Sequence, residues 1–268
     1  MRLGRLARDT FVGLVLMTMA APLVVVAGVS LNARKMLFFP PRGLSLHWYA
    51  QVFEKRAWFE ALTTSLTVAV SAGVIALAIA LPISYALWRY RITYARVLYG
   101  IGMLPFALPP VITALGMLIF WANLGYVGKI PNIVIAHGVF LVTLPMVMIS
   151  LGLESIDHEV LEAARIMGAD DRTAFRTVVL PLILPYLVAG YAFVFVLSLN
   201  EFIISYFLGQ FVTVTLPVKV FSQLRSGYSP VIASVSVMFI LLAVAVFGAI
   251  GRFGDLPKLL GAWRPDDR

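Results

Sequence analysis

The feature that most constrains this chain is a series of long apolar runs with almost no charge in them. The first is uncharged from Phe11 to Leu31. Five more follow, giving expected spans at 11–31, 61–87, 97–121, 133–153, 181–208 and 231–250. Each is long enough to cross about 30 Å of hydrocarbon as a helix. Composition agrees: 61% of the 268 residues are hydrophobic and 13% are charged, against roughly a quarter charged in soluble domains. Ten-residue alternation, the mark of a membrane β-barrel, is not sustained anywhere. The expected fold is an all-α membrane protein with six transmembrane helices in one domain over residues 1–268.

The net charge is +8, but the basic residues flank apolar runs. They therefore point to helix orientation and anionic lipid rather than to nucleic acid. With the N-terminus in the cytoplasm, thirteen of the 21 basic residues fall on the inner side. They include Arg89, Arg91 and Arg96 in one short loop, Lys258, Arg264 and Arg268 beyond the sixth run, and Arg2, Arg5 and Arg8 before the first. Both termini are then expected in the cytoplasm. The 11–31 run exceeds the apolar stretch of a secretory signal and is read as a retained span. The chain has no cysteine, which excludes disulfides and thiolate chemistry. Neither a Walker A string nor a catalytic constellation occurs, so no catalytic residue, metal site or bound cofactor is expected.

Several local features shape the expectations. Pro105, Pro109 and Pro110 predict a bent third span. In the 45–53 segment Trp48, Tyr49, Val52 and Phe53 share one helix face, predicting a short helix at the membrane surface. His137 in the fourth span is read as a packed residue rather than a metal ligand. Glu201 is the sole acidic residue between Val178 and Val218. A carboxylate inside a span is costly and needs a partner. Asn200 and Glu201 are the candidate contacts of a substrate pathway, with a structural hydrogen bond or salt bridge as the alternative for Glu201.

The loop at 154–180 differs from the rest, holding six of the 13 acidic residues. It reads as a helical hairpin: one helix from His158 to Met167, N-capped by Asp157 and stopped at Gly168, then a second from Asp170 toward Leu180-Pro181. Val160, Ala163, Ala164 and Met167 form an apolar stripe flanked by Glu159 and Glu162. Such a stripe outside the bilayer needs a protein surface to cover it. That surface is either a partner's, which would make the hairpin a docking element, or the chain's own bundle.

The string Glu162-Ala163-Ala164-x3-Gly168-x9-Val178-x-Leu180-Pro181 resembles the EAA loop of permease subunits of binding-protein-dependent ABC importers, with Val178 where isoleucine is usual. The resemblance implies a type I ABC importer permease with a cytoplasmic coupling-helix hairpin, in a bacterial inner membrane. It implies that Glu159, Glu162, Ala163, Ala164 and Gly168 couple to a separate ATPase dimer, where ATP and Mg bind. It also implies a second permease subunit and an extracytoplasmic solute-binding protein. The segments 198–205 and 216–222 resemble the spermidine/putrescine branch. That branch commonly has two acidic residues at Asn200 and Glu201, and related branches carry other solutes. An ion-gradient carrier or channel is the competing class.

Overall fold

A computed structural model describes residues 2–209, 212–227 and 229–253. The basic residues Lys258, Arg264 and Arg268 lie outside the described residues. The described chain is helical, apart from loops and one isolated antiparallel bridge between Asn32 and Leu44. Among the described residues, four helices are long and apolar enough to cross a membrane, or up to six if each of two bent pairs is one span.

The chain divides into two compact units. The first comprises residues 1–62 and 219–242. It contains α1 (Arg2–Ser30), α2 (His47–Glu54), the start of α3 (Arg56–Tyr90), most of α12 (Leu216–Ser226) and the first half of α13 (Val231–Phe253). The side chains of α1 are largely exposed, as an apolar helix facing lipid would have them. α2 forms as predicted, and part of its apolar face is covered by the chain itself. Trp48 and Val52 are buried, Trp48 donating its indole N–H to the Asn32 carbonyl at 2.6 Å, while the Tyr49 hydroxyl meets Ser30 Oγ at 2.7 Å. Phe53 alone of the four predicted residues stays well exposed. An amphipathic face covers whatever apolar surface is nearest, and here the chain supplies it.

The second unit comprises residues 63–218 and 243–268. Its elements are the rest of α3, then α4 (Thr93–Ala107), α5 (Pro110–Asn123), α6 (Ile130–Phe140), α7 (Thr143–Glu154), α8 (His158–Ile166), α9 (Asp171–Ala174), α10 (Leu180–Asn200) and α11 (Ile203–Gly209). Two large apolar clusters lie among its described residues. One joins Val68, Ile133, Phe140, Val194 and Ile204; the other joins Ala80, Met146, Ile149, Leu153, Ile183 and Leu187.

Three expected spans are not single straight helices. The third breaks between α4 and α5 with a turn of 111°. Leu108 and Pro109 each precede a proline and are extended, while Pro110 starts α5, where its missing N–H costs nothing. The fourth bends by 44° between α6 and α7. Pro145 would clash with the Leu141 carbonyl in an unbroken helix, and the chain instead pauses at Leu141–Val142. The fifth ends at Asn200; Glu201 and Phe202 are non-helical before α11 begins, so Glu201 does not lie within a continuous helix. The second helix of the hairpin also departs from expectation. It does not stop at Pro181 but continues from α9 through a π-helical turn at Phe175–Val179 into α10. Wider i→i+5 bonding before a proline shifts the register without ending the rod.

α10 packs along α7 at a small-residue contact. An added Cβ on Gly190 would sit 3.0 Å from Pro145 Cα and 3.1 Å from its Cβ. Gly190→Val is expected to destabilise the bundle by about 1–3 kcal/mol through overpacking against a backbone that cannot retreat, and Gly190→Ala by less. Thermal unfolding of the purified protein checks the order; equal midpoints for wild type and Gly190→Val would contradict it.

Candidate coupling hairpin and buried polar network

α8 is short, charged and poorly buried, with an acidic first turn at Glu159 and a basic last turn at Arg165, both favoured by the helix dipole. Asp157 occupies the N-cap position without a side-chain capping bond. The C-terminal stop is a full Schellman arrangement. The Ala169 amide donates to the Ala164 carbonyl at 3.0 Å, and the Gly168 amide to that of Arg165 at 2.9 Å. Gly168 has φ +88°, which only glycine adopts freely. Asp170 then caps α9, accepting from the Thr173 amide at 2.9 Å.

The predicted stripe is redistributed. Ala164 is buried at 4% exposure, on the inward side with half-buried Leu161, which joins the Ile149–Leu153–Ile183 cluster. Val160, Ala163 and Met167 remain on the outer side, joined by Ile166, which lies outside the predicted stripe. Ile166 and Met167 are 87% and 81% exposed. Glu159 and Glu162 are exposed beside them. The hairpin therefore has both faces weighed above: one packed on its own unit, one uncovered.

Asp171 ties the hairpin to the end of α3. One of its carboxylate oxygens accepts from Arg89 and from Arg165, each at 3.0 Å. Tyr85 on α3 meets Phe175 edge-on, with centroids 4.7 Å apart. Surface pairs of this kind contribute about 0.2–1 kcal/mol each, so the contacts orient the hairpin more than they stabilise it. The two partners are 82 residues apart, so nothing local in the sequence pairs them.

Hydrogen bonding from the Thr173 side chain, and then from its backbone amide, holds the Asp170 carboxyl below the ordinary aspartate value. A lowered folded pKa means the cap contributes fully above the unfolded pKa and is lost as pH falls through the folded one. Thr173 amide exchange should be faster in Asp170→Ala than in wild type at neutral pH, with the difference vanishing in acid. A ratio constant over that range would contradict this role for the cap.

The second polar feature sits where α10 breaks. Glu201 turns inward, its side chain 10% exposed. One carboxylate oxygen accepts from the amides of Ile203 and Ile204, the other from those of Ile204 and Ser205, at 2.9–3.2 Å. It thus caps α11. Fully buried His137 stands between Ser198 Oγ (2.7 Å from Nδ1) and Ser205 Oγ (3.0 Å from Nε2), with Glu201 Oε2 3.4 Å from Nε2. His137 has the packed role expected of it, with partners 61 and 68 residues away that sequence proximity could not suggest. Asn200 differs from its neighbour: it is exposed, and its amide donates to the Val196 carbonyl at 2.8 Å. The two predicted pathway residues are adjacent in the chain but face different surroundings.

Residues 78–254 match the family described as the binding-protein-dependent transport system inner membrane component. The putrescine transport system permease protein PotI of Escherichia coli K12 is 30% identical over 249 residues, 90% of this chain and 86% of that protein. The spermidine/putrescine transport system permease protein PotC of Haemophilus influenzae is 26% identical over 239 residues, 89% and 93% of the two chains. Among solved structures, a bacterial ABC transporter involved in the import of the acidic polysaccharide alginate aligns with TM-score 0.69 and 19% identity, covering 94% of this chain and 96% of that one.

Proposed function

Because the chain belongs to the family of binding-protein-dependent transport system inner membrane components, and so is a permease component of an ABC importer, we propose that it carries a polyamine such as putrescine or spermidine across the inner membrane by alternating access. The observation that carries the solute class is the similarity, over about nine-tenths of the chain, to two permeases named for those solutes. The general import role rests on the family itself and does not depend on that choice.

In this reading α8 is the coupling helix. Val160, Ala163, Ile166 and Met167 enter a cleft of a separate ATPase subunit, flanked by Glu159 and Glu162, while Ala164 and Leu161 hold the helix on its own unit. Gly168 and Asp170 set the turn into α9. Because α9, the π-helical turn and α10 form one rod from Asp171 to Asn200, displacement of the hairpin reaches the break at Glu201 without a joint between. ATP and Mg bind at the ATPase dimer. A second permease subunit completes the pathway, and an extracytoplasmic binding protein delivers the solute. The hairpin faces the cytoplasm, as do both chain termini. At the break, Glu201 fixes the geometry through its caps and Asn200 offers the exposed polar contact.

The test is reconstitution of the permease pair with its ATPase and binding protein in proteoliposomes. ATP-dependent uptake of labelled putrescine or spermidine is expected, with none when the ATPase is left out. Uptake of neither polyamine, with another solute transported, would overturn the solute class. Uptake without the ATPase would overturn the coupling.

A further inference from the structure

One cavity in the second unit brings together three exposed charged side chains that form no ion pair among the described residues. It has a volume of about 400 Å³ and lies between the end of α3, the start of α4 and the end of α7, within the range of about 300–1,000 Å³ usual for small-ligand sites. Arg91, Arg96 and Glu154 supply its charges, Ser84 and Ser150 its hydroxyls, and Trp88 an aromatic wall. Close by, Arg89 and Arg165 both pair with Asp171. Arg91, Arg96 and Glu154, by contrast, form no ion pair among the described residues, even with one another. Arg91 also has φ +51°, the one non-glycine residue at positive φ among those described. Such conformations are uncommon and concentrate where a site needs them.

Two guanidiniums and a carboxylate around one cavity complement a ligand that bears an anion and a cation a few bonds apart. The geometry points to a site for a phosphate group linked to a primary ammonium, the phosphoethanolamine chemistry of an ethanolamine phospholipid headgroup. Arg91 and Arg96 suit the phosphate oxygens, since guanidinium matches phosphate with paired donors. Glu154 takes the ammonium. The Ser84 and Ser150 hydroxyls donate to the Met146 carbonyl and the Tyr99 hydroxyl, and each oxygen keeps acceptor capacity that is compatible with an ammonium. Trp88 covers the apolar stem. Exposed Tyr90 and Tyr94 flank the same turn, and aromatic residues of this kind mark membrane–water boundaries. The cavity lies at the end of the bundle that carries α8: Glu154 is the last residue of α7, and Arg89, two residues before Arg91, holds the hairpin through Asp171. An occupant would clamp the α3–α4 turn to the base of the hairpin. The site is independent of which solute is carried.

Native mass spectrometry of the assembled transporter, purified from mixed phosphatidylethanolamine and phosphatidylglycerol bilayers, tests this. Wild type is expected to retain the ethanolamine lipid in preference. The double variant Arg91→Gln/Arg96→Gln should retain it roughly tenfold less. The near-isosteric Glu154→Gln variant should still hold lipid but lose the preference. Displacement of the lipid by micromolar soluble phosphoethanolamine would assign the same site to a soluble ligand, and resistance to it would assign the site to lipid. Equal retention of both lipids by wild type, or unchanged ethanolamine-lipid retention in the double variant, would overturn the site.

Discussion

Ile166→Asp and Glu162→Lys should each reduce ATP-driven uptake by about thirtyfold or more, the effect of losing a docking hot spot worth roughly 2 kcal/mol, while the chain still inserts and folds. Ile166 is 87% exposed and Glu162 is also on the outer side, so neither substitution touches the core of the second unit. Ile166→Asp would place a desolvated, unpaired charge in any apolar cleft that received α8, and Glu162→Lys would reverse the sign beside it. Gly168 supplies an internal comparison. An added Cβ would meet nothing within 4 Å, so only its φ of +88° resists substitution. Gly168→Val should therefore impair coupling, at a backbone cost of about 1–2 kcal/mol, whereas Gly168→Asn should retain most activity because asparagine tolerates this conformation. The check is uptake alongside expression and detergent-extracted size. If Ile166→Asp transported normally, its exposed face would have no partner.

Glu201→Ala should be among the most destabilising single changes in the chain. It removes an acceptor for three backbone amides at the start of α11 and leaves His137 without its carboxylate neighbour in a fully buried position. Losing a cap costs about 0.5–2 kcal/mol, and each buried polar group left unsatisfied adds roughly 1–3 kcal/mol. The expected total is a loss of about 2–4 kcal/mol, read as a lower unfolding midpoint with faster proteolysis near the α10–α11 break. Glu201→Gln keeps one capping oxygen and should fall between. His137→Leu leaves Ser198 and Ser205 without their shared partner and should move the midpoint the same way. Asn200→Ala should leave the midpoint near wild type and change uptake instead, because its side chain is exposed and bonds only to its own helix. Equal stability of Glu201→Ala and wild type would remove the cap from the account.

Much of the hairpin was legible in the chain, because its signals are local. Asp170 and Gly168 each act within a few residues, and both do what their chemistry predicts. The bend of the third span was legible for the same reason: two adjacent prolines leave little choice. What escaped depended on distant partners. Which side of α8 turns inward is decided by the Ile149–Leu153–Ile183 cluster, so Ala164 could not be separated from Ala163 by periodicity alone. An amphipathic face on α2 says only that something covers it, and the partners of Trp48 and Tyr49 are Asn32 and Ser30, 16 and 19 residues away. The continuity from α9 into α10 escaped because Pro181 reads as a terminator unless a π-helical turn precedes it. His137 and Glu201 were each conspicuous as polar residues in apolar spans. The cost of burying either alone could have paired them, but nothing local gave the geometry.

Transfer of force from α8 to a separate ATPase is directly measurable, because the chain has no cysteine. Ala163→Cys and Ala164→Cys place single thiols on the outer and inner sides of the same helical turn. With a short bifunctional reagent on assembled transporter, Ala163→Cys should give a permease–ATPase conjugate whose yield changes with nucleotide, and Ala164→Cys should give little or none. No conjugate from Ala163→Cys, in transporter that still takes up solute, would contradict the coupling role of α8.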